Sequence, residues 1–311
     1  MKRFFYYLIA STILVSCSNE NSDSEEVNLK TFKDKISYAL GADHARAISE
    51  SGDPNYSKYN LDKIIAGFGE GLKNDKAFDA GCKNSLLKLY GPSRKGFDGK
   101  YVEQGSECIG KLSGMIFNTS WKKNNGLDKL DLKLVQIGFK HAIQKRDTLI
   151  KRDEQSMMIQ NFMFDMYKIN GLNMIEEAKA KKGVKISKNG VVVETIKEGN
   201  GISPQAGDDV LAHYILMSSS GDTLQSSFDM VETYKQPLNP FSLKSVIPGW
   251  QEGMPLMKKG GTYKLYVPYQ MGYGEQGMYN PQTRRYDIPP FQSLIFYIEL
   301  INHGKSGTLV K

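Results

Sequence analysis

The chain changes texture a little past its middle. From residue 31 the apolar positions recur every three or four residues: Phe32, Ile36, Leu40 and Ala47 in one stretch, then Leu61, Ile64, Ile65, Phe68 and Leu72 in the next. That period puts apolar side chains on one face of a helix, so two amphipathic helices are predicted. Residues 74–105 lose the period and carry Gly91-Pro92, which predicts a loop or irregular insertion. A second helical pair follows in ECIGKLSGMIFNTSW and LDKLDLKLVQIGFKHAIQ. Laid over the first pair, Tyr38-Ala39-Leu40-Gly41 falls on Lys111-Leu112-Ser113-Gly114, and Ala66-Gly67-Phe68 falls on Ile137-Gly138-Phe139. A duplicated helical hairpin would look like this, and so would chance likeness between amphipathic helices.

From residue 147 to about 182 the chain is rich in Met, Gln, Lys and Glu, with breaks only at Asn170-Gly171 and Gly183. One long helix, or a near-continuous pair on the order of 50 Å long, is expected to hold two domains apart. Its methionines, Met157, Met158, Met163, Met166 and Met174, suit core or dimer packing and could also mark an adaptable binding surface. Beyond Lys185 the runs shorten and alternate. In DVLAHYILM the residues Val210, Ala212, Tyr214 and Leu216 share a face, and TYKLYVP and LIFYIELI alternate in the same way. This predicts an antiparallel sheet. Between two strands lies VIPGWQEGMPLM, where Pro248 suits the first turn of a short helix that Trp250 opens. The expected class is therefore α+β: an all-α domain over 31–146, a long connecting helix over 147–184, and over 185–311 an antiparallel sheet wrapped on a short helix.

The amino terminus changes the picture of where the chain resides. Lys2-Arg3 precede an apolar run from Phe4 to Val15 that is too short to span a bilayer, and polar residues follow from Ser18 to Glu26. This is the pattern of a secretory signal. Leu14-Val15-Ser16-Cys17 resembles the bacterial lipobox, which implies a signal peptide over 1–16, lipidation of Cys17 and a polar tether over 17–30; plain cleavage without lipid is the alternative. More than one acyl chain would anchor the protein stably. Ser18 after the lipidated cysteine favours the outer membrane, facing the periplasm, and surface exposure stays open. Cys82 and Cys108 are then the remaining thiols, and in an oxidising compartment they make a plausible disulfide.

Composition excludes rather than selects. Among 311 residues, 40% are hydrophobic and 24% charged, which is ordinary globular usage. The net charge of +7 comes from Lys and Arg scattered among Asp and Glu, with no basic stripe, so nucleic acid is not an expected partner. His44, His141, His213 and His303 are dispersed and form no ligand set with two cysteines. No metal or cofactor is expected, and each histidine is read as a surface or packing residue.

Taken in order, AHY, VIPGWQEGMPLMKKGGTYKLYVP, GYG and IPPFQSLIFYIELI carry a resemblance to the FKBP family of peptidyl-prolyl isomerases, over roughly Asn189 to Asn302. The preceding NGLNMIEEAKAKKGVKISKNGVVVETI is similar to the Mip-like and FkpA-like subfamily. The resemblance implies that Trp250 floors a proline site beside Val246 and Ile247, with the Ile247 N–H meeting a substrate carbonyl. It implies further that Tyr214, Phe241 and Phe296 wall the site, that the Tyr273 hydroxyl contacts the bound peptide, and that Ile288 covers it, with Leu238 as a further wall. Two positions depart from the family: Leu224-Gln225 stand where Phe-Asp is common, so an acid becomes an amide that is still expected to reach Tyr214. The loop EQGMYNPQTRRYD is also long, and Arg284-Arg285 bring positive charge near the site. The implied function is isomerisation of Xaa-Pro bonds in exported proteins, with chaperone activity and a homodimer formed by the helical domain. Two other readings stay open: a domain that holds proline segments without turnover, and a structural envelope lipoprotein.

Overall fold

The structure, a computed structural model, describes residues 27–92, 96–147, 149–232 and 238–309. The expected signal peptide, Cys17 and most of the tether lie outside them. The first half is helical: α1 (Phe32–Ser49), α2 (Leu61–Lys73), α3 (Ala80–Tyr90), α4 (Val102–Lys123), α5 (Leu132–Ile143) and α6 (Arg152–Lys179). Caps set the starts. Thr31 Oγ accepts the Asp34 N–H at 3.1 Å while the Asp34 carboxylate accepts the Thr31 N–H at 2.8 Å, and Asn60, Asp79 and Asp131 cap α2, α3 and α5.

Helix α3 corrects the expectation of a loop over 74–105. Its buried side chains are few, Cys82 and Leu89, which is why no clear period shows in the sequence. A Cys82–Cys108 disulfide ties it to α4.

The helices pair out of chain order, α1 against α5 and α2 against α4, around a core that includes Ile36, Ile64, Phe68, Val135 and Phe139. Glycines let the backbones meet. A Cβ on Gly41 would stand 1.9 Å from the Val135 carbonyl oxygen, and one on Gly110 would stand 2.1 Å from that of Ile64.

Helix α6, 28 residues and about 42 Å long, is the long helix expected from the sequence, and it packs on both bodies. Phe162 and Met166 belong to the helical core, while Met174, Ile175 and Ala178 pack on Val192 and Tyr266 of the sheet. Lys181 beyond its end donates to the Glu194 carboxylate and to the Tyr266 hydroxyl, both at 2.8 Å. The buried side chains of this helix are thus divided between two cores, and of its methionines Met157 faces solvent, 63% exposed.

The second half is the expected antiparallel sheet. Its strands are β1 (Lys185–Ile186), β2 (Val192–Lys197), β3 (Asp209–Ser218), β4 (Thr223–Ser226), β5 (Phe241–Ser242), β6 (Thr262–Val267) and β9 (Leu294–Gly304), in the order β1-β2-β6-β9-β3-β4, with β5 also on β3. Between β4 and β5 lies α7 (Ser227–Glu232), and between β5 and β6 lies α8 (Pro248–Gly253). Helix α8 sits close on β6: Gly249 and Gly253 leave no room for a Cβ, which would reach within 2.5 Å of Val267 and 2.3 Å of Leu265. The long loop after Tyr273 folds into a separate hairpin of β7 (Met278–Asn280) and β8 (Arg285–Ile288). No helix among the described residues is long and apolar enough to cross a membrane.

Candidate functional site

Period-two alternation turns Tyr214 of β3 and Phe296 of β9 to the same inner face, because β3 and β9 pair with Leu216 opposite Phe296 and Tyr214 opposite Ile298. Helix α8 brings Trp250 down onto them. Ile247 precedes Pro248 in an extended conformation, as a residue before proline prefers, and its carbonyl accepts the Trp250 N–H at 3.0 Å. That hydrogen bond fixes the indole at the first turn. Trp250 is 4% exposed, with ring centroids of Phe296, Phe241 and Tyr214 at 5.4, 5.5 and 5.7 Å. The planes meet at 78°, 69° and 88°, so each neighbour stands on edge to the indole and the four rings form a cup rather than a stack.

Val246, Ile247, Met271 and Tyr273 pack half-buried around this cup, and Ile288 is buried in the same core. Of these, Val246, Ile247, Tyr273 and Ile288 are named in the sequence analysis, and Met271 is not. Leu238 is half-buried in the approach to β5 and takes no part in the cluster that closes the cup.

The polar groups at the rim are few and unengaged. Among the described residues nothing accepts from the Ile247 N–H, and the Tyr214 and Tyr273 hydroxyls have no hydrogen-bond partner. Burial pushes both phenols above the ordinary tyrosine value, and for Tyr214 the nearby Tyr273 adds to it. Both remain protonated donors at neutral pH.

Gln225 does not reach Tyr214, contrary to expectation. It pairs with Leu216 on β4, exposed, and faces a neighbouring cleft of about 250 Å³ lined by Leu216, Leu224, Met278, Asp287 and Ile288. Arg284 and Arg285 stand exposed at the turn of the β7–β8 hairpin, of which Ile288 is the buried end.

Besides Met271, sequence reasoning missed three contributors. Ser227 is buried, and its hydroxyl both accepts the Tyr214 N–H at 2.8 Å and donates to the Tyr214 carbonyl at 3.2 Å, pinning that residue's backbone. Met278 and Asp287 enter the cleft because the long loop is a hairpin; the signal was Asn280-Pro281-Gln282-Thr283, a turn sequence between residues able to pair. Among the described residues no group of His, Cys, Asp and Glu could hold a metal. His44, His213 and His303 pack or bond locally, as expected of them.

Comparison with known proteins bears on this cup. The family profile described as FKBP-type peptidyl-prolyl cis-trans isomerase matches residues 200–301, which hold most of its side chains. The FK506-binding protein of Neisseria meningitidis is 36% identical over 113 residues, 36% of this chain and 94% of that protein. The chain belongs to the FKBP family. The FKBP-type isomerase FkpA of Escherichia coli is 31% identical over 170 residues, 55% of this chain and 58% of that one, so the chain spans little more than half the length of this relative. The crystal structure of FkpA from Escherichia coli aligns with 66% of this chain and 97% of its own, at 26% identity and a TM-score of 0.38.

Proposed function

We propose that the chain is a peptidyl-prolyl cis–trans isomerase whose reaction takes place on the indole of Trp250. The carrying observation is the cup itself: four rings, edge to face, beneath a rim of unpaired donors. An Xaa-Pro bond differs between cis and trans by only about 0.5–1 kcal/mol, yet rotation must cross about 18–20 kcal/mol because amide resonance is broken midway. Twisting makes the nitrogen more amine-like and shrinks the amide dipole. Water then favours the planar ground state over the twisted one, and a dry aromatic surface removes that preference. Trp250 seats the pyrrolidine ring, Phe241 and Phe296 wall it, and the Ile247 N–H and the two phenols receive carbonyls on either side. Each tenfold of acceleration asks for about 1.4 kcal/mol, within reach of such contacts.

No carboxylate is needed for this account, and Gln225 supplies none. The same substitution motivates a second reading, a domain that binds proline segments with little turnover. Two-dimensional exchange NMR on an Xaa-Pro peptide separates them: faster exchange supports the isomerase, and binding without faster exchange supports the second reading.

We further propose that the substrates are exported proteins met at the cell envelope, with a folding-assistance role, and that a lipid on Cys17 holds the chain to the outer membrane. The lipobox-like Leu14-Val15-Ser16-Cys17 supports this, and the Cys82–Cys108 disulfide agrees with an oxidising compartment. Loss of membrane association and of fatty-acid labelling in Cys17→Ser is the expected result; labelling that persists would remove the anchor.

A further inference from the structure

The helical body repeats itself, and the repeat is sharper in three dimensions than in sequence. Ser37 of α1 accepts the N–H of Asp131, the capping residue of α5, at 2.9 Å. Ser106 of α4, 69 residues on, accepts the N–H of Asn60, the capping residue of α2, at 3.0 Å. Asp131 in turn lies 71 residues beyond Asn60. The same two shifts govern the helix crossings. Gly41 meets the Val135 carbonyl, and Gly110, 69 residues on, meets that of Ile64, which lies 71 residues before Val135. Gly138 meets the Tyr38 carbonyl at 2.0 Å for an added Cβ, and Gly67 meets that of Glu107 at 2.2 Å, again with shifts of 71 and 69.

Where the two units touch, equivalent residues face each other. Phe68 and Phe139 lie one on the other, 3.7 Å between centroids and 3° between planes, as a pair related by a local twofold axis would. Gly71 and Gly114, a second close contact of α2 and α4, correspond to the small buried residues Ala142 and Ala45. Gly41 therefore matches Gly110, and the alignment with Gly114 suggested by sequence is one helical turn out.

We infer that α1–α2 and α4–α5 are two copies of one hairpin that pair with each other inside a single chain, and that the chain is a monomer carrying one isomerase domain. Each hairpin pairs through a face with glycine at its centre, and that face has one partner, which the chain already supplies. A homodimer through these helices, which the family resemblance implies, would need the same backbone contacts twice. The inserted α3 sits outside this pairing, held to α4 by its disulfide, so the repeat closes without it.

Two measurements on the full chain carrying Cys17→Ser test this. Light scattering across a wide concentration range should give the mass of one chain throughout; twice that mass would overturn the inference. Where the hairpins pair is read by mixing ¹⁵N-labelled and unlabelled chains, refolding them together and coupling with a carbodiimide. Lys111 Nζ lies 3.0 Å from Glu70, joining α4 to α2, and 2.6 Å from Glu107 on its own helix. The Lys111–Glu107 link is the internal control. Lys111–Glu70 peptides that are all light–light or heavy–heavy are the expected result. Mixed peptides at the statistical proportion would show the hairpins pairing between chains and would refute the inference.

Discussion

Replacing Gly138 by alanine asks whether the two helical hairpins truly meet backbone to backbone. The added methyl would stand 2.0 Å from the Tyr38 carbonyl oxygen, 2.9 Å from its carbonyl carbon and 3.1 Å from its Cα. All three are backbone atoms, so no rotamer change relieves them. A normal contact lies near 3.5 Å, so α5 must back away from α1 by about an ångström or more. Forcing an extra carbon into a packed core costs typically about 1–3 kcal/mol, and here the retreat also opens the Phe68–Phe139 contact. Alanine returns about 0.8–1.0 kcal/mol of helix propensity relative to glycine. The balance is a loss of up to about 2 kcal/mol. Gly99→Ala, with nothing within 4 Å of the new atom, is the control and should leave the helical body unchanged. Urea unfolding followed by far-ultraviolet circular dichroism reads both variants. A Gly138→Ala midpoint raised by the propensity gain alone would refute the crossing.

Other consequences are as definite. Trp250→Ala should cost the sheet domain about 3–5 kcal/mol for the cavity it leaves, while Trp250→Phe should stay folded with a reduced kcat/KM; an unchanged kcat/KM in a folded Phe variant would remove the indole from the reaction. Reducing Cys82–Cys108, which are 26 residues apart, should cost the helical body about 3–4 kcal/mol of chain entropy, seen as a lower urea midpoint under dithiothreitol that Cys108→Ser reproduces without it. His44 lies among the rings of Phe68, Phe117 and Phe139, and burial holds it below the ordinary histidine value of 6.5, with the Ser113 carbonyl and Asp43 opposing. The folded state thus takes up that proton less readily than the unfolded one, so stability is full above about pH 6.5 and declines as pH falls below it. His44→Gln should flatten that decline, and an unchanged slope would assign it elsewhere.

How much was legible in the sequence follows from how each element earns its burial. The sheet domain reads well because each strand buries one face, and period two survives in Val210, Ala212, Tyr214 and Leu216. The four rings of the cup come from contiguous motifs that the sequence shows, whereas Leu238, Leu224 and Gln225 stand apart from it. Helix α3 stayed hidden because a disulfide and two buried side chains hold it, which leaves no periodic stripe. Gln225 and Asp287 come together only when the long loop becomes a hairpin, a long-range event with no local signature beyond its turn. The repeat was visible but shifted by a turn, since Gly110 and Gly114 are four apart on one helix and sequence offers no means to choose between them.

The central claim is that a dry aromatic cup without an acid at position 225 turns over proline bonds. Exchange NMR on an Ala-Leu-Pro-Phe peptide, with the wild-type chain and with Trp250→Phe, tests it most directly. The account predicts cis–trans exchange well above the uncatalysed rate for the wild type and a clear loss in the variant. Peptide binding by the wild type with exchange at the uncatalysed rate would contradict it.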